Sequence, residues 1–202
     1  MISTKSLQSS IKLLAQAMEE SADELNTVDG LLGDGDLGVT MIRGFRQILV
    51  DLESLPPDIG MDFFQCAKAF TKSSGSSFGT LLATGMMAIA KEKKGETKIE
   101  LDEVSGLFNL ALEAMQMRGK ASLGDKTVLD VIVAARDAAK NQSDGETMLS
   151  NINLAINDTM ELFRNRQSKI GRARIFGKKS IGLDDPGMLA FKRMFQSLQA
   201  GI

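Results

Sequence analysis

Apolar residues recur at three- and four-residue intervals along almost the whole chain of 202 residues, and no stretch shows the two-residue alternation of a strand. That periodicity predicts eight helices. Leu7, Ile11, Leu14, Met18 and Leu25 mark the first, over 4–25. Met41, Phe45, Ile48 and Leu52 mark the second, over 38–53, ended by Pro56-Pro57. The others fall at 61–71, 78–93, 101–117 (with Asp102-Glu103 in its first turn), 126–140, 146–167 and 186–198, the last opening on Pro186. The connections are mostly short, so neighbours should run antiparallel. The expected fold class is all-α, an eight-helix up-and-down bundle or barrel in one domain over 1–202.

Direction alternates in such an array, so loops one, three, five and seven share one end. Loop one is Val28-Asp-Gly-Leu-Leu-Gly-Asp-Gly-Asp-Leu-Gly38, loop three Lys72-Ser-Ser-Gly-Ser-Ser77, loop five Arg118-Gly-Lys-Ala-Ser-Leu-Gly124, and loop seven the long 169–185 segment. These are the unusual, Gly-rich loops. Pro56–Gly60, Glu92–Thr97 and Gln142–Gly145 at the other end read as plain connectors. The split predicts one composite site at one end of the bundle.

Loop one reads as a tight turn rather than helix, and it brings Asp29, Asp34 and Asp36 close together. Converging carboxylates repel one another unless a cation lies between them, and hard oxygen donors suit Mg²⁺ or Ca²⁺. Asp and Gly also simply build turns and cap helices. A calcium-binding EF-hand loop fits poorly, because Gly38, Val39 and the residues downstream lack its ligands and its glycine. Loop three leads into a helix start and can admit an anion, or serve as a linker with a Ser cap. It lacks the Gly-Lys-Ser/Thr of a Walker A loop. In loop five, Asp125 is placed to cap the sixth helix, and Gly119 to let a nucleobase or ribose approach. Loop seven gathers Arg164, Arg166, Lys169, Arg172, Arg174, Lys178 and Lys179 without an acid among them. It is either a solvated basic loop or a counter-charge for polyphosphate. Few aromatic residues and no recognition motif accompany it, and the net charge is −2, so nucleic acid is not an expected partner.

The absences narrow the chemistry further. The chain has no His, Trp or Tyr, so no histidine base, zinc–histidine site or phosphohistidine can form on it. Its one cysteine, Cys66, reads as a small buried hydrophobe, and its 12 methionines as adaptable core filler. Without a long apolar run or a signal-peptide pattern, no membrane partner and a cytoplasmic location are expected.

Taken together, the loops resemble a known family. Gly33-Asp-Gly-Asp-x-Gly38, Met41-x-Arg-Gly-Phe45, Ser74-Gly75 with Phe78-Gly-Thr80, Arg118-Gly-Lys-Ala121 with Gly124-Asp-Lys-Thr127, Gly171-Arg-Ala173, Gly177, Ser180-Ile-Gly182 and Asp185-Pro-Gly187 follow one another in the order of the nucleotide-binding L subunit of dihydroxyacetone kinase, in its phosphoenolpyruvate-dependent, phosphotransferase-system form. The resemblance implies an eight-helix barrel that holds ADP/ATP and two Mg²⁺ at one end. It maps metal ligands onto Asp29, Asp34 and Asp36, and nucleotide contacts onto Leu37, Gly38, Val39, Thr40, Ser73, Ser74, Gly119, Val128, Arg172, Asp185, Pro186 and Gly187. Arg172 would also offset charge on the transferred group. The implied partners are an M-type phosphohistidine donor and a K-type subunit carrying dihydroxyacetone or a related short ketose, with a homodimer left open. The chain departs from the family pattern at Leu37, where His is usual, at Thr71-Lys72, where a glycine pair is usual, and at Lys179 and Leu183, where Arg and His are usual. The alternatives are an ATP-dependent kinase subunit with exchangeable nucleotide and a non-catalytic relative that docks on a transcription factor.

Overall fold

The computed structural model describes residues 1–73 and 75–201. Ser3 opens helix α1 with a reciprocal capping box to Ser6. Helices α1 (Thr4–Leu32), α2 (Leu37–Asp51), α3 (Ile59–Ser73), α4 (Ser77–Glu92), α5 (Val104–Gly119), α6 (Val128–Ala138), α7 (Gly145–Arg164) and α8 (Pro186–Ala200) follow in order. Each packs on the next, and α8 packs back on α1, so the eight form a closed ring. Three 3-10 segments (Leu52–Ser54, Leu101–Glu103 and Arg172–Ser180) and a two-stranded pairing, β1 (Ile2–Ser3) with β2 (Lys98–Ile99), complete the described structure.

The inner faces of the helices supply one main core, in which Met18, Leu25, Met41, Ile48, Phe70 and Ile156 are fully buried. Phe45 and Phe70 meet edge to face at 5.5 Å between α2 and α3. Cys66 is buried, and burial pushes its thiol up to about 12, as expected of an inert apolar side chain. Met18, Met41, Met115, Met148, Met160, Met188 and Met194 fill core positions, whereas Met61 and Met117 lie on the surface.

Several boundaries differ from the sequence reading. The largest difference is in loop one. Residues 26–32 belong to α1, so the connection to α2 shrinks to Gly33–Asp36, and Asp29 stands on a helix rather than in a turn. Leu32 is 1% exposed. It continues the stripe of Ala22, Leu25 and Val28, and burying it offsets the cost of about 1 kcal/mol for Gly30 within a helix. The sixth helix begins at Val128 with Thr127 as its cap, in a capping box with Asp130. Asp125 instead closes a turn by accepting the Ser122 N–H at 2.8 Å. The β1–β2 pair is too short to show as an alternation. It ties the chain start to the α4–α5 connection at the end of the ring away from the Gly-rich loops. At that same end Lys93, 3% exposed, donates to Glu96 at 2.8 Å and Glu103 at 2.5 Å.

The α1–α2 crossing depends on Gly38. A Cβ there would run into the backbone of Ala22, which a helix cannot withdraw. Gly38→Ala is therefore expected to destabilise the fold by about 2 kcal/mol, in the range of overpacked cores, when measured by urea unfolding.

Candidate functional site

All four odd-numbered connections line one cavity of about 510 Å³. Four helices begin there, so the N-terminal ends of α2, α4, α6 and α8 present their partial positive charge to one space. Ser76 caps α4 through Gly79 N–H at 3.1 Å, and Asp185 caps α8 through Met188 N–H at 2.9 Å with Pro186 in the first turn.

The acidic corner is built by α1 and the turn after it. Asp29, Asp34 and Asp36 each present a carboxylate oxygen within 4.8 Å of the others. Gly35, at φ 74°, allows the reversal that folds Asp34 and Asp36 back over Asp29, and the Asp36 N–H donates to Asp29 Oδ2 at 3.0 Å. Asp36 occupies the cap position of α2 yet makes no side-chain cap bond. The Asn26 Oδ1, one turn before Asp29 on α1, accepts from Gly38 N–H at 2.8 Å and Val39 N–H at 3.3 Å. Asn26 thus does the capping, and the Asp36 carboxylate remains available to a ligand. Like charges this close destabilise one another unless a cation intervenes. Arg172, reaching in from loop seven, pairs with Asp34. A hard-oxygen set of this spacing fits a divalent ion of the Mg²⁺ class.

Loop seven runs as a strap from the end of α7 to the start of α8. Arg164 grips Asp184 in a bidentate pair at 2.9 and 3.0 Å, and the Gly182 N–H returns to the Arg164 carbonyl at 2.8 Å. Gly171, Arg172 and Ala173 line the cavity, while Ile175 is 77% exposed.

The opposite wall is apolar. Phe78 and Leu81 from α4, Met115 from α5 and Leu129 from α6 line it. Gly119 faces Leu81, and Gly187 faces the Phe78 ring, where an added Cβ would come within 3.2 and 2.9 Å respectively. The cavity therefore carries an apolar slot together with an acid-and-cation corner. Sequence reading missed this slot and Asn26. Phe78, Leu81 and Met115 look like ordinary helix stripe residues, and only their place next to loops three and five sets them apart.

Among the residues singled out from the sequence, Asp29, Asp34, Asp36, Leu37, Gly119, Val128, Arg172, Asp185, Pro186 and Gly187 line the cavity. Gly38, Val39 and Thr40 lie just behind it in the first turn of α2, with Gly38 and Thr40 buried and Val39 facing outward. Ser73 ends α3, with its hydroxyl donating to the Ala69 carbonyl at 2.7 Å, and is not part of the lining. Ser74 lies outside the described residues.

Residues 31–200 match the family model described as DAK2 domain. The chain belongs to the DAK2 domain family. One relative is the PTS-dependent dihydroxyacetone kinase, ADP-binding subunit DhaL, of Lactococcus lactis, 30% identical over 184 residues that cover 91% of this chain and 90% of the relative. Another is the PEP-dependent dihydroxyacetone kinase 2, ADP-binding subunit DhaL, of Listeria innocua, 29% identical over 177 residues that cover 84% of this chain and 82% of the relative. The dihydroxyacetone kinase of C. freundii has the same fold. Its native form and its complex with AMP-PNP and Mg²⁺ match with TM-scores of 0.78 and 0.76 at 22% and 23% identity. Those matches cover 96% of this chain, which spans 34% and 33% of the C. freundii chains. That fold match agrees with the eight-helix ring.

Asp185 makes the site pH-sensitive. One side of the residue opens onto the cavity, but its carboxyl is enclosed by protein, and burial raises it to about 6 against the opposing pull of the Met188 N–H and the Lys126 ammonium. A carboxyl raised on folding is most compatible with the fold below its unfolded value near 4 and costs stability as pH rises toward 6. Asp185→Asn keeps a capping oxygen and cannot ionise. In metal- and nucleotide-free protein, its stability relative to the parent is expected to rise by on the order of 2 kcal/mol between pH 4 and pH 7, read by thermal melts across that range.

Proposed function

We propose that this protein is the nucleotide-carrying subunit of a dihydroxyacetone-type kinase, passing a phosphoryl group from a phosphohistidine donor, through bound Mg-ADP/ATP, to a short ketose on a partner. The observation that carries this reading is the pairing, within one cavity, of three convergent aspartates with an apolar slot and four helix N-termini. Relatives named as ADP-binding subunits of dihydroxyacetone kinase, alignable over most of both chains, support it.

Asp29, Asp34 and Asp36 would hold Mg²⁺, two ions by the family resemblance, and the metal would offset the negative charge of the phosphates. The slot between Phe78, Leu81, Met115 and Leu129 takes the flat, apolar base, with Gly119 and Gly187 keeping its edges open. Arg172 exchanges its contact with Asp34 for the charge on the transferred group. Because it already stands at the acidic corner, little rearrangement is needed. Leu37, 5% exposed in the cavity wall, puts an alkyl group where the family usually has an imidazole, so proton handling falls to other groups. The 202 residues include no histidine, so in this reading the phosphohistidine lies outside them, on an M-type subunit, and the ketose is carried by a K-type subunit. Exposed Leu31, Leu123, Ile175 and Ile181, all in or beside the odd-numbered connections, offer such a partner apolar contacts at that end of the ring. No helix of the described residues is long and apolar enough to cross a membrane.

Asp34→Ala separates metal ligation from simple charge. Removing a carboxylate and freeing Arg172 would strengthen ADP binding if net charge alone mattered. If Asp34 holds metal, calorimetry in Mg²⁺ should show ADP affinity falling by more than about tenfold. Unchanged or tighter binding would remove Asp34 from the metal set. The mode of use is tested separately, by native mass spectrometry of gently purified protein. Retained ADP fits the cofactor role, and an empty or freely exchanging site fits an ATP-dependent subunit.

A further inference from the structure

Lys126 is 1% exposed and has a left-handed backbone at φ 65°, a conformation that glycine adopts more easily. Among the described residues its ammonium forms no ion pair with a carboxylate. It donates to three backbone carbonyls, of Arg166 at 2.9 Å, Ser180 at 2.8 Å and Arg164 at 3.1 Å. These carbonyls belong to the two feet of the loop-seven strap, at the end of α7 and at the end of the Arg172–Ser180 segment. Other bonds brace the strap: one joins the feet, one lies within the second foot, and one ties the first foot to loop five. The Ser168 N–H donates to Ser180 Oγ at 2.9 Å, Ser180 Oγ donates to the Gly177 carbonyl at 2.6 Å, and the Lys169 N–H donates to the Asp125 carbonyl at 3.1 Å. Arg172 stands on the crown between the feet and makes its contact with Asp34 from there. The next residue after Lys126, Thr127, caps α6 and itself lines the cavity.

We propose that Lys126 is the positioning residue for Arg172: by drawing the two feet of the strap together it sets the height and direction at which the Arg172 guanidinium meets the acidic corner. This inference rests on the nucleotide-binding reading above. A buried ammonium that loses a carbonyl partner has nothing to replace it, so the three bonds hold together or fail together. Burial lowers the proton affinity of Lys126, and the nearby Asp185 and Asp184 oppose that effect. Strap and α6 cap thus share one anchor, although they meet the cavity from different sides.

The test is a double-mutant cycle with Lys126→Met, Arg172→Ala and the two combined, each read by calorimetric ADP affinity in Mg²⁺, together with amide exchange on nucleotide-free protein. The expected result is that Lys126→Met weakens ADP by about tenfold, as Arg172→Ala does, that the combination loses no more, and that exchange rises over 165–182 while α1–α6 keep their protection. Lys126→Gln, which retains two donors, should recover part of the affinity. Additive losses, or unchanged exchange in the strap, would overturn the proposal. If Lys126→Met does not fold, Ser180→Ala loosens the same feet and should raise exchange over 165–182 and weaken ADP; normal values for both would overturn it equally. Parent protein that binds no Mg-ADP would count against the nucleotide reading alone, since the exchange measurement stands without it.

Discussion

A ring of antiparallel helices leaves the chain little freedom in where it can place chemistry. Every odd-numbered helix must deliver its C-terminus, and every even-numbered one its N-terminus, to the same end. Closure of α8 onto α1 brings the first and last of these connections side by side, which is why Asp34 and Arg172, far apart in sequence, can meet. The four helix starts give that end a positive bias before any charged side chain is counted. Against this background three carboxylates can gather without pulling the ends of the helices apart.

The two ends of the ring use charge differently. At the far end the buried ammonium of Lys93 is paired with both Glu96 and Glu103. At the near end the aspartates outnumber the cation that reaches them, and the natural helix cap among them, Asp36, is relieved of that duty by Asn26. The same substitution of roles recurs at α6, where Thr127 caps and Asp125 only closes a turn. In both places a side chain next to the acidic residue satisfies the backbone.

Much of this was legible from periodicity. Eight helices, their order and the grouping of the Gly-rich loops follow from apolar spacing and chain direction alone. The end of α1 did not. Asp29 and Gly30 look like turn residues, and only the burial of Leu32 against the ring makes continuing the helix worthwhile. The β1–β2 pair escaped because two residues per strand carry no pattern. Within the cavity, charged and small residues announced themselves in the loops. The apolar slot did not, since Phe78, Leu81 and Met115 have the same spacing as core residues that face inward. Asn26 and Lys126 were hidden for a related reason: their importance lies in which backbone atoms they reach, and that is set by tertiary approach.

The length of α1 carries a practical consequence. Its 29 residues extend, at about 1.5 Å each, roughly 40 Å from the β1–β2 pairing to the acidic corner. α8 also runs away from that corner, and Gly201, just past its end, lies against Leu13 of α1. A sensor chip, fluorophore or fusion joined at residue 1 would therefore hang from the blunt pole of the cylinder and leave the mouth unobstructed for visiting proteins.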